Sequence, residues 1–188
     1  LSPSCNPNRL SGVKGFFGDK HTMKKLLTIF AILGLACTHQ AQASLADQIN
    51  ENQTDWLMGA WEADIDGNTI FLSYKWVVKD HVIAAHLKTN DNETYSLIGL
   101  NPESGEIEQT GYDSKGKKST GKWGPKGDMP MVTVKSTSDT GETQSMAVAF
   151  RRIDENNIEA QIFEVDASGN VGDFSSISFE MKRKKEKK

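Results

Sequence analysis

The stretch "DWLMGAWEADIDGN", Asp55 to Asn68, decides the fold. It holds two tryptophans, Trp56 and Trp61, a Gly-x-Trp at Gly59-Ala60-Trp61, and an Asp-Gly pair at Asp66-Gly67. Asp-Gly between extended runs is a strong two-residue hairpin signal, because both turn positions need positive φ. The segment therefore reads as a strand that turns straight back into another. That second strand is "NTIFLSYKWVV": Ile70, Leu72, Tyr74, Trp76 and Val78 fall on one face, with Ser73 and Lys75 on the other. Alternation of this kind belongs to a half-buried strand.

Turn clusters continue down the chain at nearly regular intervals: Lys79-Asp80, Asn90-Asp91-Asn92, "NPESG" from Asn101, "DSKG" from Asp113, "GPKGD" from Gly124, "SDTG" from Ser138, "DENN" from Asp154 and "DASGNVGD" from Asp166. The runs between them show little helical period. In the last, Ile177, Phe179 and Met181 alternate with Ser176, Ser178 and Glu180. About ten short strands with tight turns predict an all-β, up-and-down antiparallel barrel of about 8–10 strands, since a long meander curls and closes to remove its edges. Ahead of it, "SLADQINENQTDWL" reads as a short helix capped by Ser44, with Asp47 near its N-terminus and Leu45 and Ile49 on one face. Such a helix is too short to stand alone and is expected to pack over one end of the barrel.

The beginning of the chain reads differently. From Met23, "MKKLLTIFAILGLACTHQAQAS" has a basic start, an apolar core from Leu26 to Ala36 and a small-x-small site at Ala41-Gln42-Ala43. That is the pattern of a secretory signal peptide, residues 23–43, cleaved before Ser44. Its apolar core is shorter than the ~20 residues a membrane-spanning helix needs. Export to the periplasm or outside the cell is expected; lipid attachment at Cys37, after Gly34-Leu35-Ala36, is the weaker route. Residues 1–22 read as an upstream extension that contributes nothing to the fold. Cys5 and Cys37 both precede Ser44, so the domain from 44 to 181 contains no cysteine and relies on core burial.

Removing the five basic and one acidic residues before Ser44 leaves 17 Lys and Arg against 24 Asp and Glu, a net of −7. Six of those positives and one negative sit in the basic tail, Lys182 to Lys188, so the body from Ser44 to Met181 carries −12. An acidic body argues against nucleic acid as a partner. The tail could make weak contact with an anionic envelope surface, although a solvated terminus is the simpler reading.

Trp56-Leu57-Met58-Gly59-Ala60-Trp61, set between a short helix and an acidic hairpin, resembles the first strand of the calycin group, which includes the lipocalins and fatty-acid-binding proteins. It is especially similar to a family of uncharacterised, exported bacterial proteins with lipocalin-like barrels. As a strand pattern the resemblance runs from about Asp55 to Arg183; as residue identity it is confined to the first strand. It implies that Gly59 and Trp61 seal one end of the barrel, with a basic residue of the last strand over the indole. Arg183 matches that position best, with Arg151 and Arg152 as rivals. The lipocalin cysteines and later lipocalin motifs are absent.

Chemistry-bearing patterns are few. His81 and His86, in "HVIAAHL", are the only histidines after Ser44. Five apart on a strand they face opposite sides and cannot share a metal. A single inward histidine would suit a haem-binding or isomerase-type barrel, but the Gly-x-Trp-x-Gly-x-Gly signature of haem-binding calycins is missing. "DIDGN" and "DASGNVGD" do not match the twelve-residue calcium loop. No nucleophile elbow or phosphate loop is present, so no catalytic residue, metal or cofactor is expected. The expected function is carriage of a small apolar or amphipathic ligand, in a cavity lined by Leu72, Tyr74, Trp76, Tyr95, Leu97 and Phe163. The alternative is a filled barrel acting as a structural or protein-interaction module of the envelope, because alternation does not distinguish hollow from filled.

Overall fold

In a computed structural model of the chain, residues 43–138 and 140–185 are described here. The segments expected to be an upstream extension and a signal peptide, up to residue 42, with Cys5 and Cys37, and the last three residues of the basic tail lie outside the described residues. No described helix is long and apolar enough to cross a membrane.

Among the described residues one helix, α1 (Leu45–Glu51), and a 3-10 turn (Asp55–Leu57) precede ten strands. These are β1 (Gly59–Ile65), β2 (Asn68–Val78), β3 (Val82–Lys88), β4 (Glu93–Leu100), β5 (Ile107–Asp113), β6 (Lys118–Lys126), β7 (Met129–Thr137), β8 (Thr143–Arg152), β9 (Asn157–Glu164) and β10 (Ile177–Arg183). Each strand pairs with the next, and β1 pairs with β10, closing an up-and-down antiparallel barrel. Asp66 and Gly67 take φ of 52° and 81°, as a two-residue hairpin turn requires. At "GPKGD" the strand runs further than its composition suggests: Gly124 and Pro125 lie in β6, and Pro125 pairs with Pro130. β10 likewise continues through Lys182 and Arg183, so the basic segment begins inside the sheet.

Ser44 caps α1 by a reciprocal capping box with Asp47, which satisfies two otherwise orphaned amides. The helix lies across one end of the barrel: Ala46 N–H donates to Asp80 O at 3.1 Å in the β2–β3 turn, and Gln48 Nε2 reaches Gly105 O in the β4–β5 turn. This is the helix end; the Asp66-Gly67 turn marks the opposite one.

The registers sort the side chains into two faces. Trp61 pairs with Leu72, Tyr74 with Ala85, Ile83 with Ile98 and Phe150 with Ala160; these residues form the interior core together with Leu45, Leu57, Ile158 and Met181. Phe163 has the opposite parity. It is buried with Ala147 and Ala149 in a second cluster, packed against Met129, Met131, Val165 and Val171. This cluster sits on the outer wall, beneath the long β9–β10 connection. Phe163 is therefore not a cavity residue: its alternation with Ile162 places it outside, and the loop rather than the barrel buries it.

Candidate functional site

The 3-10 turn and β1 build the seal at the helix end. Trp61 is fully buried, and its indole N–H donates to Leu57 O at 2.9 Å. The Arg183 guanidinium lies 4.0 Å from the centre of the Trp61 ring, a cation–π geometry. Its nitrogens donate to Trp56 O, Met58 O and Glu155 O at 2.8–2.9 Å. One side chain thus ties the entry to β1, the β8–β9 turn and the closing strand together. Gly59 is needed beside it: φ is +109°, and a Cβ there would come within 2.7 Å of Arg183 Nη1. Arg151 is instead paired with Glu159 at 2.8 Å.

Next to this seal lies a cavity of about 530 Å³. Its roof is α1, through Leu45 and Ile49; Leu57 and Met58 join it to the seal. Tyr74, Ile83 and Ile98 line it from β2, β3 and β4, and Trp123 with Met129 and Pro130 from the β6–β7 hairpin. The walls are mostly apolar. Tyr74 is 6% exposed and meets Trp123 and Phe150 edge-on, with ring centres 5.9 and 6.3 Å away. Burial pushes the Tyr74 hydroxyl well above the usual phenol range, so it stays protonated. The Trp123 indole N–H is occupied, donating to Gln109 Oε1 at 3.1 Å. At the rim Glu106 pairs with Lys122 at 2.6 Å, and that hydrogen bond holds the Glu106 carboxyl below its ordinary range.

Of the six residues expected to line a cavity, only Tyr74 lines this one; Leu97 borders a separate, shallow depression on the outer wall. Leu72 and Trp76 have inward parity, but Leu72 is packed in the core and Trp76 packs against it. Tyr95 and Leu97 are each 57% exposed on the outer wall; Ser96 and Ile98 point inward in their place. The reason is register. The β3–β4 turn pairs Lys88 with Glu93, so odd-numbered inward residues on β3 oppose even-numbered ones on β4. "ETYSLIGL" has apolar residues on both faces and does not reveal this by alternation alone; the turn length does. The helix, Trp123 and the β6–β7 lip carry no signal in local period, because their meeting at the barrel end is a long-range event.

The histidines do not share a strand, since His81 precedes β3, and both take turn or surface positions. His86 faces outward, with Nε2 2.7 Å from Glu93 Oε1 and its ring stacked on Tyr95 at 4.1 Å. His81 is exposed in the β2–β3 turn. Neither reaches the cavity. Among the described residues no group of three or more His, Cys, Asp or Glu could hold a metal ion. The acidic turns are self-satisfied: Asp64 Oδ1 accepts from Gly67 N–H, and Asp166 accepts from the amides of Ser168 and Asn170 and from the Asn170 side chain. These bonds, led by the Asn170 side chain, hold the Asp166 carboxyl below its ordinary range.

Compared with known proteins, the chain matches no protein-family model and no curated sequence.

Proposed function

We propose that the chain is an exported, calycin-type carrier that takes one small apolar or amphipathic molecule into the cavity beneath α1. The observation that carries this reading is the cavity itself. At about 530 Å³ it falls within the ~300–1,000 Å³ of small-molecule sites, and like them it is apolar with few polar groups. Affinity would come from apolar burial, at roughly 25 cal/mol per Å² removed from water. The signal-peptide pattern from Met23 supports export, and the seal of Gly59, Trp61 and Arg183 supports kinship with calycins.

A second reading, a module of the envelope that docks by its outer wall, draws on the exposed Tyr95, Leu97 and Tyr112. Tyr95 and Tyr112 are direct cross-strand neighbours. The basic tail supports this reading less: Lys184 is paired with Glu62 and lies 5.3 Å from the Phe71 ring centre, so it rests on the barrel.

Titration with the uncharged dye Nile red tests the carrier reading. Saturable fluorescence enhancement is expected, weakened about 10-fold or more in Ile98→Phe, which places a larger side chain in the cavity. Ile83→Phe fills the cavity from the neighbouring strand and serves as a second plug. No saturable enhancement, or binding indifferent to both plugs in folded protein, would refute it.

A further inference from the structure

The cavity holds an uneven set of polar groups, and that unevenness bears on what enters it. Of its lining residues only Glu106 and Asp128 carry charge, and both are carboxylates; none is Lys, Arg or His. The cations nearest in sequence are already engaged, Lys122 at the rim itself. Lys122 donates to Glu106 at 2.6 Å. Lys126 donates to Gly172 O at 2.9 Å and lies 4.6 Å from the Phe163 ring centre, on the outer wall. Arg183 is bound to three backbone carbonyls at the seal. A ligand carboxylate brought into this space would lose its water and meet no cation that is not already paired, which is strongly unfavourable.

Tyr74 supplies the complementary feature. Among the described residues nothing hydrogen-bonds its hydroxyl. Yet among those residues no fully enclosed side-chain oxygen or nitrogen is without a partner. The hydroxyl therefore keeps access to open space, and the space its side chain lines is the cavity. A protonated phenol both donates and accepts one hydrogen bond.

Building on the carrier reading, we infer that the site selects an uncharged molecule, an apolar body with a single hydroxyl or carbonyl that bonds to Tyr74, and rejects the anionic carboxylates that barrels with an interior cation can hold. Selectivity comes from what the lining lacks as much as from what it offers. The acidic rim works in the same direction, since Asp128 repels an anion before it enters.

Calorimetric titration of the intact protein with decanol and with decanoate at neutral pH tests the inference, because the two share a chain length and differ in the charge of the head. Decanol is expected to bind saturably, with decanoate about 10-fold weaker or worse. Tyr74→Phe, which keeps the ring and its packing, is expected to weaken decanol by about 3- to 10-fold without moving the melting temperature downward. Decanoate binding as tightly as decanol, or decanol binding unchanged in Tyr74→Phe, would overturn the inference and leave the carrier reading standing. Nile red binding without decanol binding would likewise overturn the inference alone. Failure of both probes would remove the carrier reading with it.

Discussion

Arg183 does three things at once that a lysine could not. Its planar guanidinium covers the Trp61 ring while its separate nitrogens reach Trp56 O, Met58 O and Glu155 O. A lysine ammonium offers a point charge and cannot span those carbonyls. Arg183→Lys is therefore expected to lose about 2 kcal/mol or more of unfolding free energy, measured by urea denaturation; a loss within error would mean the fork is dispensable. Trp61→Ala should cost about 3–5 kcal/mol through the cavity left behind, and a neutral result would contradict its complete burial. Trp61 and Arg183 were legible through the resemblance of the Gly-x-Trp stretch to calycin first strands, which implies a basic residue of the last strand over the indole and left Arg151 and Arg152 as rivals. The requirement for Gly59 was only half legible: its positive φ and the closeness of Arg183 Nη1 emerge once the chain ends meet.

At the scale of elements, turns proved more informative than alternation. Most of the turn clusters fell between strands, and Asp66-Gly67 made the tight hairpin its composition demands. Faces were harder to read. On β4 the two faces are nearly equal in apolar content, so that Tyr95 and Leu97 read as inward although Ser96 and Ile98 hold the interior. A paired substitution checks this register: Leu97→Ser should change stability by no more than about 0.5 kcal/mol, whereas Ile98→Ala should cost about 2–4 kcal/mol. Thermal or urea unfolding reads both, and a reversed order would contradict the register. On β9, Phe163 reads from its size as interior, but the β9–β10 loop gives it a separate shelter outside.

The turns also set the response to acid. Asp113, Asp154 and Asp166 accept hydrogen bonds across their own turns, which lower each carboxyl from its ordinary 3.8. In the unfolded chain these groups bind protons at higher pH than in the fold. Their contribution is thus fully present above the unfolded value and is lost as pH falls through the lower folded values. The urea midpoint should stay level from neutral pH down to about pH 5 and then decline. Asp166→Asn, which cannot ionise, should make that decline shallower. An acid limb identical in the variant would show that the turn bonds do not discriminate between the folded and unfolded carboxyl.

For the whole molecule, closure and hollowness are separate outcomes of one meander. Closure follows from ten sequential strands whose first and last pair at Trp61 with Arg183 and Glu62 with Lys182. That makes the basic segment part of the barrel at its start: removing everything from Lys182 should unfold or loosen the protein, as circular dichroism melts would report, and an unchanged melt would contradict the pairing. Hollowness depends on the helix. Most of the interior is filled by Trp61, Leu72, Phe150, Ile158 and Met181, and open space survives where α1 bridges the barrel end instead of filling it. The sequence held the strand count and the capped helix, but the volume beneath the helix depends on how far apart the strand ends stand, which no local pattern records.

The most direct test of the carrier reading is native mass spectrometry of the protein isolated from its own cells, alongside Ile98→Phe. The account predicts a small-molecule adduct on the native protein, displaceable by decanol and depleted in the plugged variant. A bare mass for both proteins, with both folded, would contradict it and leave the outer wall as the working surface.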